Sequence, residues 1–394
     1  MSQPPETIII VGAGIVGSAL AYYLSSSDTT RNIKLVDRSF LPLLGSTGHA
    51  PGFVGQFNES EVLTKLAIET VSEYTKIPGG FENVGGLEVA FQPEGVRRLE
   101  SRCASALKLN LSAEILSIEK AHTLAPTLVR ESQSGTALFF PTDGTANATK
   151  ITSFYQNEAK SSGVHLIQGD ITGLVSSAGR ITGVKISKEG SDEMFNADKV
   201  ILTTGIWAQD LCQGFDFPMP VVPVGHPYLY GKARDSLPQK IPFVRWPEYH
   251  TYARDHGGRY GLGSYDHAPT GCKPQNGTAI GEWIADFNTP LKSAIDLLPE
   301  ATAEEFSNGE SFNGIFSMTP DNMPLAGPVR SIEGLYMAVA VWVTHAAGTA
   351  KFLTRLIDNA NVDQGTKAAL DPERFKGQDS VTLEEKSLAG YNSI

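Results

Sequence analysis

The sequence has little cysteine, and its cysteines follow no pattern. Cys103, Cys212 and Cys272 are an odd number in a chain of 394 residues, and they share neither C-x-x-C nor metal-ligand spacing. This argues against a disulfide framework and against a cysteine metal site, so no metal is expected. Free thiols are typical of a reducing compartment, and the cytoplasm is therefore the predicted location.

Basic charge and long apolar runs are also scarce. The formal net charge is -11, which argues against nucleic acid and acidic membrane surfaces as partners. No apolar run approaches the length of a membrane span, and residues 1–6 lack the pattern of a signal or transit peptide. The C-terminal tripeptide is not the peroxisomal signal. We therefore expect no membrane contact, and a chain of this length is sufficient for two domains.

A dinucleotide-binding fingerprint lies at the start of the chain. The apolar run 7–11 predicts a buried strand, and the turn after it, Gly12-Ala13-Gly14-Ile15-Val16-Gly17, fits the G-x-G-x-x-G pattern. A helix over 18–26 and a strand over 33–36 follow, and that strand ends in Asp37. The glycines permit a tight turn, close approach of the backbone to a pyrophosphate and close helix packing, while Asp37 can accept from ribose hydroxyls. The phosphates would lie at the helix N-terminus.

The remaining pattern predicts an α/β chain with two discontinuous domains. We expect helices over 61–76, 149–162 and 346–358, strands over 164–171 and 335–340, and a strand from residue 199 that ends in a turn at Gly205. Short aromatic-rich strands over 220–265 predict an antiparallel sheet. Residues 1–86, 146–216 and 313–375 are assigned to a Rossmann-like cofactor domain, 87–145 and 217–312 to an antiparallel-sheet substrate domain, and 376–394 to a C-terminal tail.

Four parts of the sequence together resemble a known enzyme family. They are 45–52 (GSTGHAPG), 222–228 (VPVGHPY), 259–265 (RYGLGSY), and 313–321 (NGIFSMTPD) with 341–348 (VWVTHAAG). They resemble the flavin-linked dimethylglycine oxidases and the sarcosine and dimethylglycine dehydrogenases of the D-amino-acid-oxidase superfamily. The resemblance spans nearly the whole chain and implies an FAD-binding domain of the glutathione-reductase type. The folate-binding half of some members has no counterpart here, so formaldehyde is expected to leave to solvent.

The resemblance implies a covalent cofactor link through His49. In the family, the matching histidine is joined to the 8α-methyl of FAD, which requires an unprotonated imidazole nitrogen as the nucleophile. The alternative is a loop histidine that only hydrogen-bonds the backbone. The expected FAD-binding residues are Gly12, Gly14, Ile15, Val16, Gly17, Asp37, Arg38, Ser46, Thr47, Gly48, His49, Ala50, Pro51, Ile171, Gly205, Val343, Thr344, His345 and Ala346.

Some of these expected FAD-binding residues have alternative interpretations. Residues 343–346 begin a helix whose N-terminus could stabilise negative charge on the reduced flavin ring, although Thr344 could simply cap that helix. Ile171 matches a family position whose backbone contacts adenine. Gly205 and Trp207 lie on a turn beside the nucleotide, and a core role is favoured for Trp207.

His226 and Tyr260 match the family's catalytic pair. Strand alternation suggests a shared surface, on which His226 keeps the substrate amine unprotonated and Tyr260 holds its carboxylate or amine. The alternative is that both are ordinary sheet aromatics. Pro227 departs from the family, which usually has an amide side chain there, so the shape of the pocket can differ. Arg245, Arg254 and Arg259 are candidate carboxylate anchors, and the sequence does not distinguish among them.

The expected function is FAD-dependent oxidation of a small secondary or tertiary N-methyl amino acid. Hydride passes to flavin N5, and the resulting iminium hydrolyses to the demethylated amine and formaldehyde, with oxygen or another acceptor reoxidising the flavin. One alternative is oxidation of a D-amino acid, an imino acid or a secondary-metabolite amine on the same scaffold. The other is a flavin-binding protein without turnover. Oligomeric state is left open.

Overall fold

The computed structural model describes residues 4–131, 134–188, 190–215 and 219–393. Its strands are β1 Thr7–Val11, β2 Asn32–Asp37, β3 Phe53–Val54, β4 Phe81–Glu82, β5 Gly86–Ala90, β6 Glu114–Ser117, β7 Thr136–Phe140, β8 Gly144–Ala146, β9 His165–Gln168, β10 Asp170–Ser177, β11 Arg180–Lys188, β12 Ser191–Asn196, β13 Lys199–Leu202, β14 Val222–Tyr230, β15 Phe243–Trp246, β16 Thr251–Asp255, β17 Tyr260–Ser264, β18 Ile280–Gly281, β19 Glu310–Met318, β20 Leu325–Pro328 and β21 Leu335–Val339.

The helices alternate with these strands. They are α1 Ile15–Ser27, α2 Ser46–His49, α3 Glu61–Tyr74, α4 Pro93–Lys108, α5 Ile118–Leu124, α6 Ala148–Ser161, α7 Ala208–Leu211, α8 Asn288–Ile295, α9 Glu300–Glu304, α10 Ala346–Ile357, α11 Gln364–Leu370 and α12 Ser380–Gly390. The helices expected over 61–76, 149–162 and 346–358 are thereby confirmed. Among the described residues, no helix combines the length and the apolar character that crossing a bilayer requires.

A six-stranded sheet forms the first layer, in the order β20-β21-β13-β1-β2-β9. Every neighbouring pair is parallel except β20 with β21. The apolar residues of β1 and β13 are buried on both faces, as parallel strands between helices require. α1 packs with α6 and α10 on one side of the sheet. This confirms the predicted strand-turn-helix-strand unit and the α/β fold class.

The second large sheet has nine strands in the described part of the chain, in the order β18-β19-β14-β17-β16-β15-β5-β7-β6. Its pairs are antiparallel except β15 with β5, which confirms the predicted antiparallel sheet over 220–265. Helix α8 and the segment around α9 pack on one face of it. The other face carries most of its tyrosines and turns toward the six-stranded sheet.

Two stretches differ from the sequence prediction. The single strand expected over 164–171 is two strands, since β9 is parallel to β2 whereas β10, after Gly169, is antiparallel to β11. β19 pairs with β14 in the nine-stranded sheet, although residues from 313 onward were assigned to the cofactor domain. The predicted boundary at 216–217 lies outside the described residues, and the domain bounds as a whole remain a prediction.

The segment predicted as a C-terminal tail is a folded part of the molecule. α12 is capped by Asp379, whose carboxylate accepts from Thr382 N at 2.9 Å. Asn322 Nδ2 donates to Gly390 O at 2.9 Å and fixes the end of the helix. Tyr391, the next residue, is completely buried among aromatic rings of the nine-stranded sheet. The last helix therefore contributes to the protein interior.

Candidate active site

The glycine turn between β1 and α1 forms a tightly constrained cradle. Gly12 has φ +102°, and a Cβ on it would lie 2.6 Å from Thr203 O. A Cβ on Gly17 would lie 1.9 Å from Gly12 O. These positions accept only glycine, and they bring the N-terminus of α1 to an open cavity that Gly14 and Ile15 line.

Segment 45–52 packs directly against this cradle. Thr47 Oγ1 accepts from Ile15 N at 3.2 Å, and Ser46 Oγ donates to Ile315 O in β19 at 2.8 Å. A Cβ on Gly48 would lie 2.1 Å from Leu43 O, so this short helical turn also needs a glycine. Segment 45–52 therefore joins the N-terminus of α1 to the nine-stranded sheet. His49 is the last residue of its short helix, α2.

The imidazole of His49 lines the same cavity. Its Nε2 is buried and has no hydrogen-bond partner among the described residues. Burial lowers the pKa of His49, and a hydrogen bond with the Leu44 backbone only partly opposes that change. The ring is therefore neutral at physiological pH, with an unshared electron pair available at the cavity.

The cavity extends from this cradle to the aromatic face of the nine-stranded sheet. Its lining includes Gly205 after β13, and Ala50 and Pro51 beside His49. Ser46 and Thr47 also line it, whereas Gly48 lies behind the turn. An elongated space with a glycine cradle at one end and an orphaned imidazole nitrogen along its wall fits a flavin dinucleotide. These residues could hold FAD.

The turn before α10 forms another wall. Val343, Thr344 and His345 line the cavity, and Ala346 begins the helix behind them. Tyr74 donates its hydroxyl proton to Val343 O at 2.8 Å, which fixes the turn. No side-chain hydrogen bond caps α10, so the alternative role of Thr344 as a helix cap is wrong. Burial lowers the pKa of His345 to about 4, so this wall carries no imidazolium charge.

Other predicted cofactor residues lie beside the cavity. Asp37 accepts from Ala13 N at 2.6 Å in the glycine turn, and burial raises its pKa. The guanidinium of Arg38 stacks over Trp207, 4.5 Å from the ring centroid. Ile171 packs against an apolar cluster behind β10 and does not line the cavity. Contact of these residues with FAD therefore remains a prediction.

His226 lies at the centre of the aromatic face. It is 3% exposed, and its Nδ1 lies 2.5 Å from Tyr391 Oη while its Nε2 lies 2.7 Å from Tyr252 Oη. Tyr265 packs against the same ring, 4.5 Å between centroids. Burial, together with the neighbouring His267, holds the pKa of His226 well below its usual range. The ring is therefore a neutral base at the cavity wall.

Tyr260 does not join this group, so the expectation of a surface shared with His226 is wrong. In β14 and β17, Tyr228 lies opposite Gly263 and Leu229 opposite Leu262. Opposite residues share a face, so Tyr260 and Leu262 lie on the helix-covered side of the sheet. Alternation within each strand was correctly predicted, but the register between strands decides which faces coincide.

Tyr252 occupies the place that was expected for Tyr260. It lies opposite Gly263, on the same face as His226, and a Cβ on Gly263 would lie 2.4 Å from its ring. Gly263 therefore leaves the space that this tyrosine fills. Tyr252 and Tyr265 both line the cavity. The sequence signal was the density of tyrosine in these strands, without the register needed to select one.

The structure separates the three candidate arginines. Arg245 lines the cavity. Arg254 is buried and donates from Nη1 to Pro51 O at 2.6 Å, so it supports the backbone of segment 45–52. Arg259 stacks 3.6 Å over Tyr230 and pairs with Glu310 at 2.9 Å, away from the cavity. Arg245 is thus the only one of the three that can reach a ligand in this space.

Two buried carboxylates near Arg245 were not found by sequence reasoning. Glu88 lines the cavity and accepts two hydrogen bonds from Arg102, at 2.8 and 2.9 Å. Asp143 accepts from Gln56 N at 2.9 Å, and burial raises its pKa to about 7. Below that pH Asp143 is uncharged. Their positions follow from strand pairing, and nothing in the local sequence marks them.

Comparison with known proteins shows the family to which this chain belongs. A family model described as FAD dependent oxidoreductase matches residues 7–356. The mitochondrial dimethylglycine dehydrogenase of Rattus norvegicus is 24% identical over 100% of this chain and 48% of its own length. The 4-methylaminobutanoate oxidase (formaldehyde-forming) of Paenarthrobacter nicotinovorans is 25% identical over 94% of this chain and 45% of its own length. The chain spans about half the length of these curated relatives.

Solved structures share the fold. L-proline dehydrogenase from P. horikoshii superposes with a TM-score of 0.82 at 20% identity, covering 94% of this chain and 98% of that one. Glycine oxidase from Geobacillus kaustophilus gives 0.77 at 20% identity, covering 94% of this chain and 100% of that one. The likeness covers most of this chain and shows a shared fold.

Proposed function

Because this chain belongs to the family of FAD-dependent oxidoreductases, we propose that it oxidises a small N-methyl amino acid at the carbon next to nitrogen. The observation that carries the proposal is the single cavity in which His49, the His226–Tyr252 pair and Arg245 meet. Bound FAD would supply the two-electron acceptor for hydride leaving that carbon. The residues of this chain would bind, orient and deprotonate the substrate.

We propose FAD as the occupant of the elongated part of the cavity. The first turn of α1 and the glycine cradle would hold the pyrophosphate, because the backbone at a helix N-terminus and the helix dipole favour phosphate. Val343, Thr344 and His345 would lie along the ring system. The positive end of α10 favours electron density on a ring placed there. His49 would form the covalent link through its neutral imidazole.

Substrate deprotonation is assigned to the His226–Tyr252 pair. The nitrogen lone pair must be free before hydride can leave the adjacent carbon, so a protonated amine has to lose a proton in the site. Tyr252 lines the cavity, and its Oη contacts Nε2 of His226, whose ring is neutral because burial lowers its pKa. Proton transfer from the amine to this pair would leave the amine reactive.

A donor panel tests the proposed reaction. Purified protein is mixed anaerobically with sarcosine, dimethylglycine, 4-methylaminobutanoate, glycine, proline and D-alanine, and flavin bleaching is followed with formaldehyde and, in air, peroxide. The N-methyl amino acids are expected to bleach the flavin and release stoichiometric formaldehyde. Bleaching by proline or D-alanine, without bleaching by any N-methyl amino acid, would assign an imino acid or a D-amino acid as the substrate. No bleaching by any donor would identify a flavin-binding protein without turnover.

Replacing Arg245 should weaken substrate binding selectively. A charge-assisted hydrogen bond contributes about 1.5–3 kcal/mol, so Arg245→Met should raise the apparent Kd of an N-methyl amino acid roughly 10- to 100-fold. The binding of a methylamine without a carboxylate should change little. Arg259→Met, whose guanidinium lies on Tyr230 outside the cavity, is the matched control. Equal losses for both ligands would contradict a carboxylate anchor.

A further inference from the structure

The environment of His226 extends beyond the cavity through two residues that the proposed mechanism does not use. Tyr391, at the end of α12, lies between His226 Nδ1 at 2.5 Å and His267 Nε2 at 2.8 Å. His267 is half-buried and follows the exposed Asp266, so its ring reaches the surface region. Together with Tyr252, these groups form an unbroken hydrogen-bonded chain, which we call the Tyr252–His267 chain.

The direction of every hydrogen bond in this chain follows from its outer end. His267 Nδ1 lies 3.0 Å from Ala268 O, which can only accept, so a neutral His267 carries its proton on Nδ1. Its bare Nε2 then accepts from the hydroxyl of Tyr391. Tyr391 Oη must in turn accept from His226 Nδ1–H, and the bare Nε2 of His226 accepts from the hydroxyl of Tyr252.

From this order we propose that Tyr391 and His267 are the path by which the substrate amine proton leaves the site. The proposal rests on the proposed function. A proton passes from the ammonium to Tyr252 Oη, while the hydroxyl proton of Tyr252 moves to His226 Nε2. The Nδ1 proton of His226 moves to Tyr391 Oη, and the hydroxyl proton of Tyr391 moves to His267 Nε2. One proton enters at the amine, and His267 releases one to water.

The surroundings suit transfer through neutral groups. The titratable groups around His226 are Tyr252, Tyr265, Tyr391 and His267, with Arg245 acting on Tyr265 and Asp266 on His267. Burial holds the pKa of Tyr252 and Tyr391 well above the usual range, so both remain hydroxyls. Burial lowers the pKa of His267, and the Ala268 carbonyl and the Asp266 carboxylate oppose that change only in part. Of the four groups around His226, His267 is the one beside a carboxylate. That carboxylate, Asp266, favours the protonated form of the imidazole.

Tyr391→Phe removes the hydroxyl and keeps the ring in its packing. Anaerobic flavin reduction by an N-methyl amino acid should slow roughly 10- to 100-fold below the pKa of the amine and approach the wild-type rate above it. The reason is that the amine must then lose its proton in solution, which shifts the pH profile upward. His267→Asn should do the same, and the double variant should be no slower than either single one.

Tyr155→Phe is the matched control, because it removes another buried phenol, bonded to Tyr23 Oη at 3.0 Å in the α1–α6 interface. Its pH profile should equal that of the wild type. A Tyr391→Phe profile that does not move, even with a lower Tm, would overturn the proposal and leave Tyr391 a packing residue. Multiplicative losses in the double variant would also overturn it.

A second readout needs no turnover. In protein labelled with ¹⁵N-histidine, His226 should be in the Nδ1–H form with a bare Nε2, and Tyr391→Phe should remove that preference. An Nε2–H form of His226 in the wild type would reverse the direction of the hydrogen bonds in the Tyr252–His267 chain and refute the proposal. If no amine reduces the flavin while the Nδ1–H form is observed, the substrate assignment fails and the hydrogen-bonded order stands.

Discussion

Acid precipitation of the holoprotein should leave a yellow pellet, and His49→Ala should release all of that colour to the supernatant. The His49 ring lines the cavity with an unpartnered, buried Nε2, and its lowered pKa keeps it neutral. A neutral imidazole nitrogen is the nucleophile that a bond to the flavin methyl requires. Peptide mass spectrometry should locate the flavin on the peptide that contains His49.

His165→Ala is the control for this substitution. His165 is exposed in β9, the edge strand of the six-stranded sheet, and does not line the cavity, so its removal should leave the pellet yellow. Flavin found wholly in the wild-type supernatant would show that FAD is bound without a covalent bond. Flavin on any other peptide would move the link away from His49.

Gly17→Ala should abolish flavin binding altogether. A Cβ at this position would lie 1.9 Å from Gly12 O and 2.4 Å from Thr203 Oγ1, so α1 has to move away from β1. Overpacking typically costs about 1–3 kcal/mol, and a collision with backbone costs more because the backbone cannot rotate away. The ratio of flavin to protein absorbance should fall at least 100-fold, with a lower Tm.

Gly173→Ala provides the comparison, since a Cβ there meets nothing within 4 Å. Its flavin content and Tm should match those of the wild type. A Gly17→Ala protein that retains stoichiometric flavin would show that the turn can relax, and that close packing of α1 is not what holds the cofactor.

Local patterns predicted the parts of the fold that depend on local sequence. The glycine turn, the helices over 61–76 and 149–162, and the strand ending before Gly205 follow from periodicity and from the special backbone of glycine. Segment 45–52 was identified because its small residues surround one histidine. Each of these signals lies within a few residues of the feature that it predicts.

The active-site face could not be predicted in the same way, because it depends on register between distant strands. Choosing Tyr252 over Tyr260 requires the pairing of Gly263 with both Tyr228 and Tyr252. A polar C-terminal segment gives no sign that Tyr391 is buried against His226, a residue 165 positions earlier. Arg245 and Arg254 lie on the same face of the sheet, and only the long-range contact of Arg254 with Pro51 O distinguishes them.

The walls of the cavity come from both extremes of the polypeptide, since residues 14–16 and 343–345 line the same space. On the ribosome, the glycine turn emerges long before the second wall exists, so the nascent chain offers only part of a flavin site. Distant parallel pairings, such as β1 with β13 and β13 with β21, form slowly. Cofactor loading is therefore a late event in biosynthesis. In a cell short of riboflavin, newly made protein would stay without flavin and would lack the stabilisation that a bound ligand confers. Proteases would therefore degrade it faster than the flavin-loaded protein.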